Sequence, residues 1–202
     1  MTSVSKILEN LDHEVGLEIT KLEKSLKLTK KIDRDNLGIA IKALSKLGII
    51  QNSDNDKLTI NSQIEFISGR VRCSSKGYCF VVREDQEEDI YIREANLNNA
   101  WHGDSVIVLI TRQALKRKAP EGSIQCVLKR YNDTLLAKVE LDKSTGKLKA
   151  YPLDDRIPAI IELENEINLI DTQNSKDKVY EIKIIRYPIG QLNAKGSIIR
   201  EL

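Results

Sequence analysis

Apolar residues recur with a helical period up to about residue 60 and with a period of two thereafter, and that change divides the chain. Val4, Ile7, Leu8 and Leu11 form one stripe at i, i+3, i+4 and i+7, and Ile19, Leu22 and Leu26 form a shorter one. A third helix is predicted with Asp33 as its N-cap, Ile32 and Leu37 as a hydrophobic staple, and Leu37, Ile41 and Leu44 as its apolar face. Gly48 supplies the stop. Ile49 to Gln51 and Lys57 to Ile60 then flank the polar stretch Asn52 to Asp56, which reads as a hairpin. Three helices followed by a hairpin are the layout of a winged helix-turn-helix, assigned to residues 1–63.

Strand patterning starts at Gly69 to Cys73 and continues through Lys76 to Val81, Asp89 to Ile92 and Ser105 to Ile110, with a turn at His102-Gly103-Asp104. Short strands without a helical period point to a small barrel of the OB type. It is assigned to residues 64–121, including a basic linker with Lys116, Arg117, Lys118 and Pro120. Residues 122–202 repeat the pattern: Gly122 to Leu128, Leu135 to Leu141, Lys147 to Tyr151, Ala159 to Leu163, Lys178 to Arg186 and Gly196 to Glu201. Pro158 and Pro188 mark strand ends, because proline cannot donate to a ladder. The expected fold is therefore α+β multidomain, a winged helix-turn-helix followed by two tandem OB-fold barrels.

Aromatic placement gives the first functional signal. On a strand, Tyr78 and Phe80 share a face, and a paired neighbouring strand would bring Tyr91 to them. Unpaired bases stack on such a platform for about 1–3 kcal/mol each. The same rings would also serve as ordinary sheet packing; Gly77 and Lys76 beside them favour a nucleic-acid surface. On the third helix, Arg34, Lys42 and Lys46 with Lys30 and Lys31 offer phosphate contacts, yet Asp33 and Asp35 in the first turn would oppose them. They read equally as a solvated helix face.

Composition adds mainly exclusions. With 41% hydrophobic and 31% charged residues the chain is an ordinary globular protein. Its net charge of +2 gives no basic footprint, so binding electrostatics must be local. Three cysteines and two histidines lack CxxC or HxxxH spacing, which argues against a metal site. The odd cysteine count argues against a disulfide framework and for a reducing compartment. No apolar run is long enough to span a bilayer and the first residues lack a secretory pattern, so a cytoplasmic location is expected, with no membrane partner. His102 reads as turn chemistry, and no nucleophile with a matching acid is evident.

Lys76-Gly77-Tyr78-Cys79-Phe80-Val81 followed by Asp89 to Glu94 resembles the paired RNA-binding motifs of the cold-shock domain, with Cys79 where a second glycine is usual. Trp101-His102-Gly103-Asp104-Ser105-Val106 is similar to the HGD-x-V turn of the ribonuclease R / ribonuclease II group of 3′→5′ exoribonucleases. Asp154 to Pro158, Tyr180 to Pro188 and Gly196 to Leu202 resemble that family's second cold-shock domain and its exit strand. The resemblance implies a module that holds single-stranded RNA and guides it to a nuclease domain absent from these residues, with a C-terminal nuclease as partner and a monomeric state. Tyr78, Phe80 and Tyr91 would stack on bases, and Lys76, Arg93 and Arg72 would meet phosphates. No catalytic or metal-binding residue is assigned, and no cofactor; Mg²⁺ would belong to the missing domain. Asp54-Asn55-Asp56 and Asp154-Asp155 do not match its aspartate cluster and read as turns. In the second barrel, Lys147 to Pro152 takes the place of the aromatic motif and leaves one ring, Tyr151. A winged-helix DNA-binding regulator and a protein-interaction scaffold are the rival classes.

Overall fold

The computed structural model describes residues 4–12, 14–53, 57–63, 66–83, 87–115, 118–164 and 178–202. His13, Asp54 to Asp56, Lys116 and Arg117 therefore lie outside the described residues. The N-terminal unit runs α1 (Val4–Glu9), β1 (Leu17–Glu18), α2 (Ile19–Ser25), α3 (Lys31–Lys46), β2 (Ile50–Ser53) and β3 (Lys57–Ile60). Its strands form an antiparallel sheet in the order β1-β3-β2, with Leu17 opposite Leu58 and Ile50 opposite Ile60. Ile7, Leu22, Leu37, Ile41, Leu44 and Leu58 meet in one core, as their helical spacing requires. Gly48 takes a φ of +73° just past the helix and lets the chain reverse into β2. The buried Asn61 donates to the Gly48 carbonyl at 2.8 Å, tying the end of β3 to that reversal.

Two details of this unit depart from the pattern. Lys30, not Asp33, is the N-cap of α3, so Asp33 lies within the first helical turn. Ile32 is 66% exposed and staples nothing. The acidic side chain suits the positive end of the helix from inside as well as from the cap, which is why the two positions look alike in sequence.

The first barrel consists of β4 (Phe66–Cys73), β5 (Cys79–Arg83), β6 (Ile90–Ile92), β7 (Ser105–Arg112) and β8 (Glu121–Lys129), closed in the order β4-β5-β6-β8-β7. Alternate residues fill it: Ile67, Val71, Val81, Ile90, Ile92, Val106, Val108 and Ile124. The strand at Gly122 to Leu128, expected to open the second barrel, pairs with β6 and β7 and closes the first. The junction between barrels falls at residues 130–133 rather than at 121/122. β7 is apolar on both faces for a reason: Val106 and Val108 point into the barrel, while Ile107 joins the core of the N-terminal unit. Cys126 and Leu128 of β8 and Phe66 of β4 pack there too, so the helices cap one side of the barrel.

Cysteine pairing also overturns the expectation from counting. Cys73 and Cys79 stand opposite each other on β4 and β5, with Cα atoms 4.1 Å apart, and are joined as a disulfide. An odd total left room for one pair plus one free thiol. That thiol is Cys126, whose burial pushes its pKa up to about 11.

The second barrel repeats the topology with β9 (Thr134–Asp142), β10 (Lys147–Pro152), β11 (Ile161–Leu163), β12 (Val179–Arg186) and β13 (Ala194–Glu201), in the order β10-β11-β13-β12-β9. In each barrel the third strand pairs in parallel with the fifth, and all other pairs are antiparallel. Two closed five-stranded OB-like barrels thus stand in tandem.

One carboxylate holds the joint between them. Asp104 is fully buried and accepts three hydrogen bonds, from Trp101 N at 2.8 Å, Arg130 Nη1 at 2.8 Å and Tyr131 N at 3.0 Å. Trp101 comes from the first barrel's turn but packs in the core of the second. Arg130 also bonds the Asn99 carbonyl and lies 4.4 Å from the ring centroid of Tyr187, at the end of β12. Removing one partner of a buried ion pair costs about 3–5 kcal/mol. We expect Asp104→Ala to lose about that much in urea denaturation followed by the fluorescence of Trp101, the single tryptophan. A loss under about 1 kcal/mol would mean that the joint does not depend on this carboxylate.

Candidate nucleic-acid interface

The outward face of β4, β5 and β6 carries the aromatic signal. Arg72 pairs with Phe80 and Phe80 with Tyr91, so three side chains form one row across the strands. The Phe80 and Tyr91 ring centroids lie 5.4 Å apart with planes tilted by 56°, and both rings are half-buried on the outside of the barrel. The inward positions beside them, Cys79, Val81, Ile90 and Ile92, are buried in the core. Period-two alternation produces this division directly.

Tyr78 and Lys76 are placed differently from expectation. β5 begins only at Cys79, so Tyr78 stands in the hairpin turn and not on the strand beside Phe80. Ser74 N donates to the Tyr78 carbonyl at 2.8 Å, and Gly77 takes a φ of +82° that closes the turn. Tyr78 is 56% exposed and Lys76 is exposed at the tip, so both overhang one end of the row.

The two arginines of the predicted set are already answered by acids. Arg72 Nη2 reaches Asp89 at 2.7 Å, and Arg93 Nη2 reaches Glu121 at 2.9 Å, where Arg112 binds as well at 3.0 Å. Lys76 has no acidic partner among the described residues. Phe80, Tyr91 and Arg72 are thus brought together, Tyr78 and Lys76 sit at their rim, and Arg93 lies at the β6–β8 edge.

At the other end of the face the structure adds residues that the aromatic motif did not point to. Arg70 and Val82 pair on β4 and β5 two positions from Arg72 and Phe80, and therefore share their outward face. Beyond them, Tyr131 and the turn residues His102 and Gly103 close a hollow of about 430 Å³. Tyr131 follows the barrel closure and belongs to no strand, so no periodicity singles it out. His102 Nδ1 accepts from Cys73 N at 3.0 Å, which requires the neutral ring to carry its proton on Nε2. Burial first, and the nearby Arg156 second, hold this imidazole below its ordinary pKa, against a smaller opposing effect of Asp154.

Among the described residues, no group of three or more His, Cys, Asp or Glu is placed to hold a metal ion. Asp154 forms a two-pronged contact with Arg156, Oδ1 to Nε and Oδ2 to Nη2 both at 2.8 Å, and the same guanidinium lowers its pKa. Arg156 N also donates to Asp154 Oδ1, so the acid closes a turn. No helix among the described residues is long and apolar enough to cross a membrane.

Residues 5–61 match the family model described as the cyanobacterial RNase R N-terminal domain, and residues 69–127 match the ribonuclease B OB domain. The chain carries the N-terminal and OB domains of the ribonuclease R family. It is 36% identical over 182 residues to the acetazolamide conferring resistance protein zam of Synechocystis sp., an alignment covering 90% of this chain and 23% of that protein. Identity to ribonuclease R of Acidithiobacillus ferrooxidans is 22% over 173 residues, 84% of this chain and 38% of the enzyme. The chain therefore spans well under half of the curated relatives it matches. In fold it is similar to Mycoplasma genitalium RNase R in complex with ribose methylated single-stranded RNA (TM-score 0.56, 17% identity), covering 67% of this chain and 21% of that one. Yeast Ssd1, a pseudonuclease, gives a TM-score of 0.55 at 18% identity, covering 68% of this chain and 22% of that one.

Among the described residues, the second OB-like barrel of this ribonuclease R-type region has no equivalent aromatic row. Tyr180 is buried, Tyr187 lies beneath Arg130, and Tyr151 remains as one ring on β10.

Because the folded state disfavours protonated His102, the unfolded chain binds more protons below the ordinary histidine value. This contribution is complete above about pH 6.5 and is lost as the pH falls from there through the lowered value of the folded state. The stability advantage of the native chain over His102→Asn should shrink between pH 7.5 and pH 5.5 in paired urea titrations. An advantage independent of pH would show that the ring is not held neutral.

Proposed function

We propose that these domains grip single-stranded RNA on the outer face of the first barrel and lead it to a 3′→5′ nuclease domain outside these residues. The observation that carries this reading is the outward pair Phe80–Tyr91, two rings in contact and left half in water on an OB-like sheet. A ring pair that served packing alone would be expected on the inner face, where the core residues of the same strands lie. Stacking needs a π-face rather than a base-specific donor pattern, so the grip suits a processive, sequence-tolerant substrate path. Tyr78 at the hairpin extends the stacking surface and Lys76 supplies a phosphate contact; Arg72 and Arg93 contribute only where phosphate displaces Asp89 or Glu121.

The family likeness supports the same substrate, since a relative of this fold is described in complex with single-stranded RNA. In this reading the two barrels are cold-shock-like and the N-terminal unit, with its three helices and three-stranded sheet, is a winged helix. The unit shares its core with Ile107 of the barrel, so it acts as a fixed buttress rather than a tethered reader. Mg²⁺ chemistry belongs to the nuclease domain, and the protein works as a cytoplasmic monomer.

Phe80→Ala should weaken binding of a fluorescent oligouridylate by about 1–3 kcal/mol at fixed salt, with an unaltered circular dichroism spectrum. Unchanged affinity would remove the platform from the RNA path. Lys76→Ala should lower the slope of log Kd against log salt by about 0.7, the value for one phosphate contact on a single strand. A parallel shift of the two salt curves would assign Lys76 no phosphate.

A further inference from the structure

The hollow at the barrel junction has the features of a binding site that the platform does not use. Tyr131 is 64% exposed, yet it is not loosely held. Its backbone N–H is bonded to the buried Asp104, and its ring lies so close along Gly103 that a Cβ there would meet ring atom Cδ1 at 2.5 Å. Gly103, at a φ of +92°, thus provides both the turn and the seat of the ring. A large aromatic fixed in place with most of its surface in water has an orientation set in advance for a ligand.

The charges around it are arranged for a phosphate. Arg70 lies 6.0 Å from the Tyr131 ring centroid. Among the described residues it has no carboxylate partner, in contrast to its neighbours Arg72, bound to Asp89, and Arg83, bound to Glu87. His102, whose Nδ1 accepts from the Cys73 N–H and whose Nε2–H is left as a donor, lines the same hollow. A volume of about 430 Å³ lies within the range of sites that take one small ligand.

We infer that Tyr131, Arg70 and His102 form a second nucleotide subsite, in which an unpaired base stacks on Tyr131 and its phosphate meets Arg70. This rests on the single-strand reading above and deepens it. Arg70 and Val82 continue the outward row of Arg72 and Phe80 by about 7 Å, the advance of two strand residues. A strand of RNA stacked on Phe80 and Tyr91 crosses Arg72 and Arg70 before it reaches Tyr131. The subsite lies where the first barrel gives way to the second, so it directs the strand across the joint.

The test is fluorescence anisotropy with a labelled twelve-nucleotide oligouridylate on the full chain, comparing Tyr131→Leu, Tyr131→Phe and Phe80→Ala, with thermal melts to confirm folding. Leucine keeps an apolar side chain on Gly103 without a π-face, and phenylalanine keeps the ring. We expect Tyr131→Leu to raise Kd about five- to fiftyfold and Tyr131→Phe to leave it unchanged. A probe with 5-iodouridine at each position in turn should give a photo-crosslink to Tyr131 at a position distinct from that linked to Phe80 or Tyr91. Loss of affinity in Phe80→Ala with none in Tyr131→Leu and no Tyr131 crosslink overturns the subsite and leaves the platform standing. Loss in Tyr131→Leu with none in Phe80→Ala keeps the subsite and overturns the platform. Unchanged affinity in both variants overturns both.

Discussion

Asp104 is a charge with no exposed surface, and the joint between the barrels is built to compensate it. Burying a carboxylate is costly unless its oxygens are fully satisfied. Here the donors come from three places: the Trp101 backbone of its own turn, the Arg130 side chain and the Tyr131 backbone of the connecting segment. Each donor fixes a different piece of chain. The Trp101 bond sets the turn whose indole fills the second barrel's core, and the Arg130 bond places a guanidinium against Tyr187. Tyr187 in turn donates its hydroxyl to the Asn132 carbonyl at 2.6 Å, and Asn132 reaches the His102 carbonyl at 2.9 Å. The barrels are therefore one body at the joint, and Tyr131 keeps a set position relative to the first barrel's outer face.

Most of the architecture was legible because its cause is local. Helical and two-residue periods separate the N-terminal unit from the barrels, and the outward aspect of Phe80 and Tyr91 follows from alternation with Val81, Ile90 and Ile92. The α3 cap at Lys30 instead of Asp33 is a local miss, but the larger failures are non-local. Glu121 to Lys129 reads like the opening of a new domain because a linker and Pro120 precede it, yet its partners are β6 and β7. Nothing within a strand states which barrel it closes. Ile107 makes β7 look like a strand buried on both sides, which it is, but the covering element lies far away in sequence. The Cys73–Cys79 pair depends on register: the cysteines stand opposite only because the intervening hairpin takes up residues 74 to 78. The same hairpin removes Tyr78 from the strand.

Electrostatics explain why the composition said so little about binding. Arg72 and Arg93 beside the ring pair, like Arg112, Arg130, Arg156 and Arg200 elsewhere, each meet a carboxylate within 3.0 Å, so the guanidiniums next to Phe80 and Tyr91 are already paired. In the RNA grip proposed above, these paired arginines release few counterions and add little affinity. In the proposed grip the binding energy comes from stacking, which is insensitive to salt and tolerant of base identity.

The two barrels share a topology but not a surface, and this asymmetry has a physical reading. The first barrel places a ring pair on its outer sheet, whereas the second uses its tyrosines for its own core and for the joint. Tyr180 fills the second barrel, and Tyr187 serves as the face on which Arg130 rests. Rings committed to packing cannot also stack on bases. On the proposed path, a strand that leaves Phe80 and Tyr91 is taken up next by Tyr131 at the hollow beside the junction. The carboxylate that unites the barrels is the same group that fixes the backbone of that tyrosine, so the stability of the joint and the continuity of the proposed RNA path depend on one buried charge.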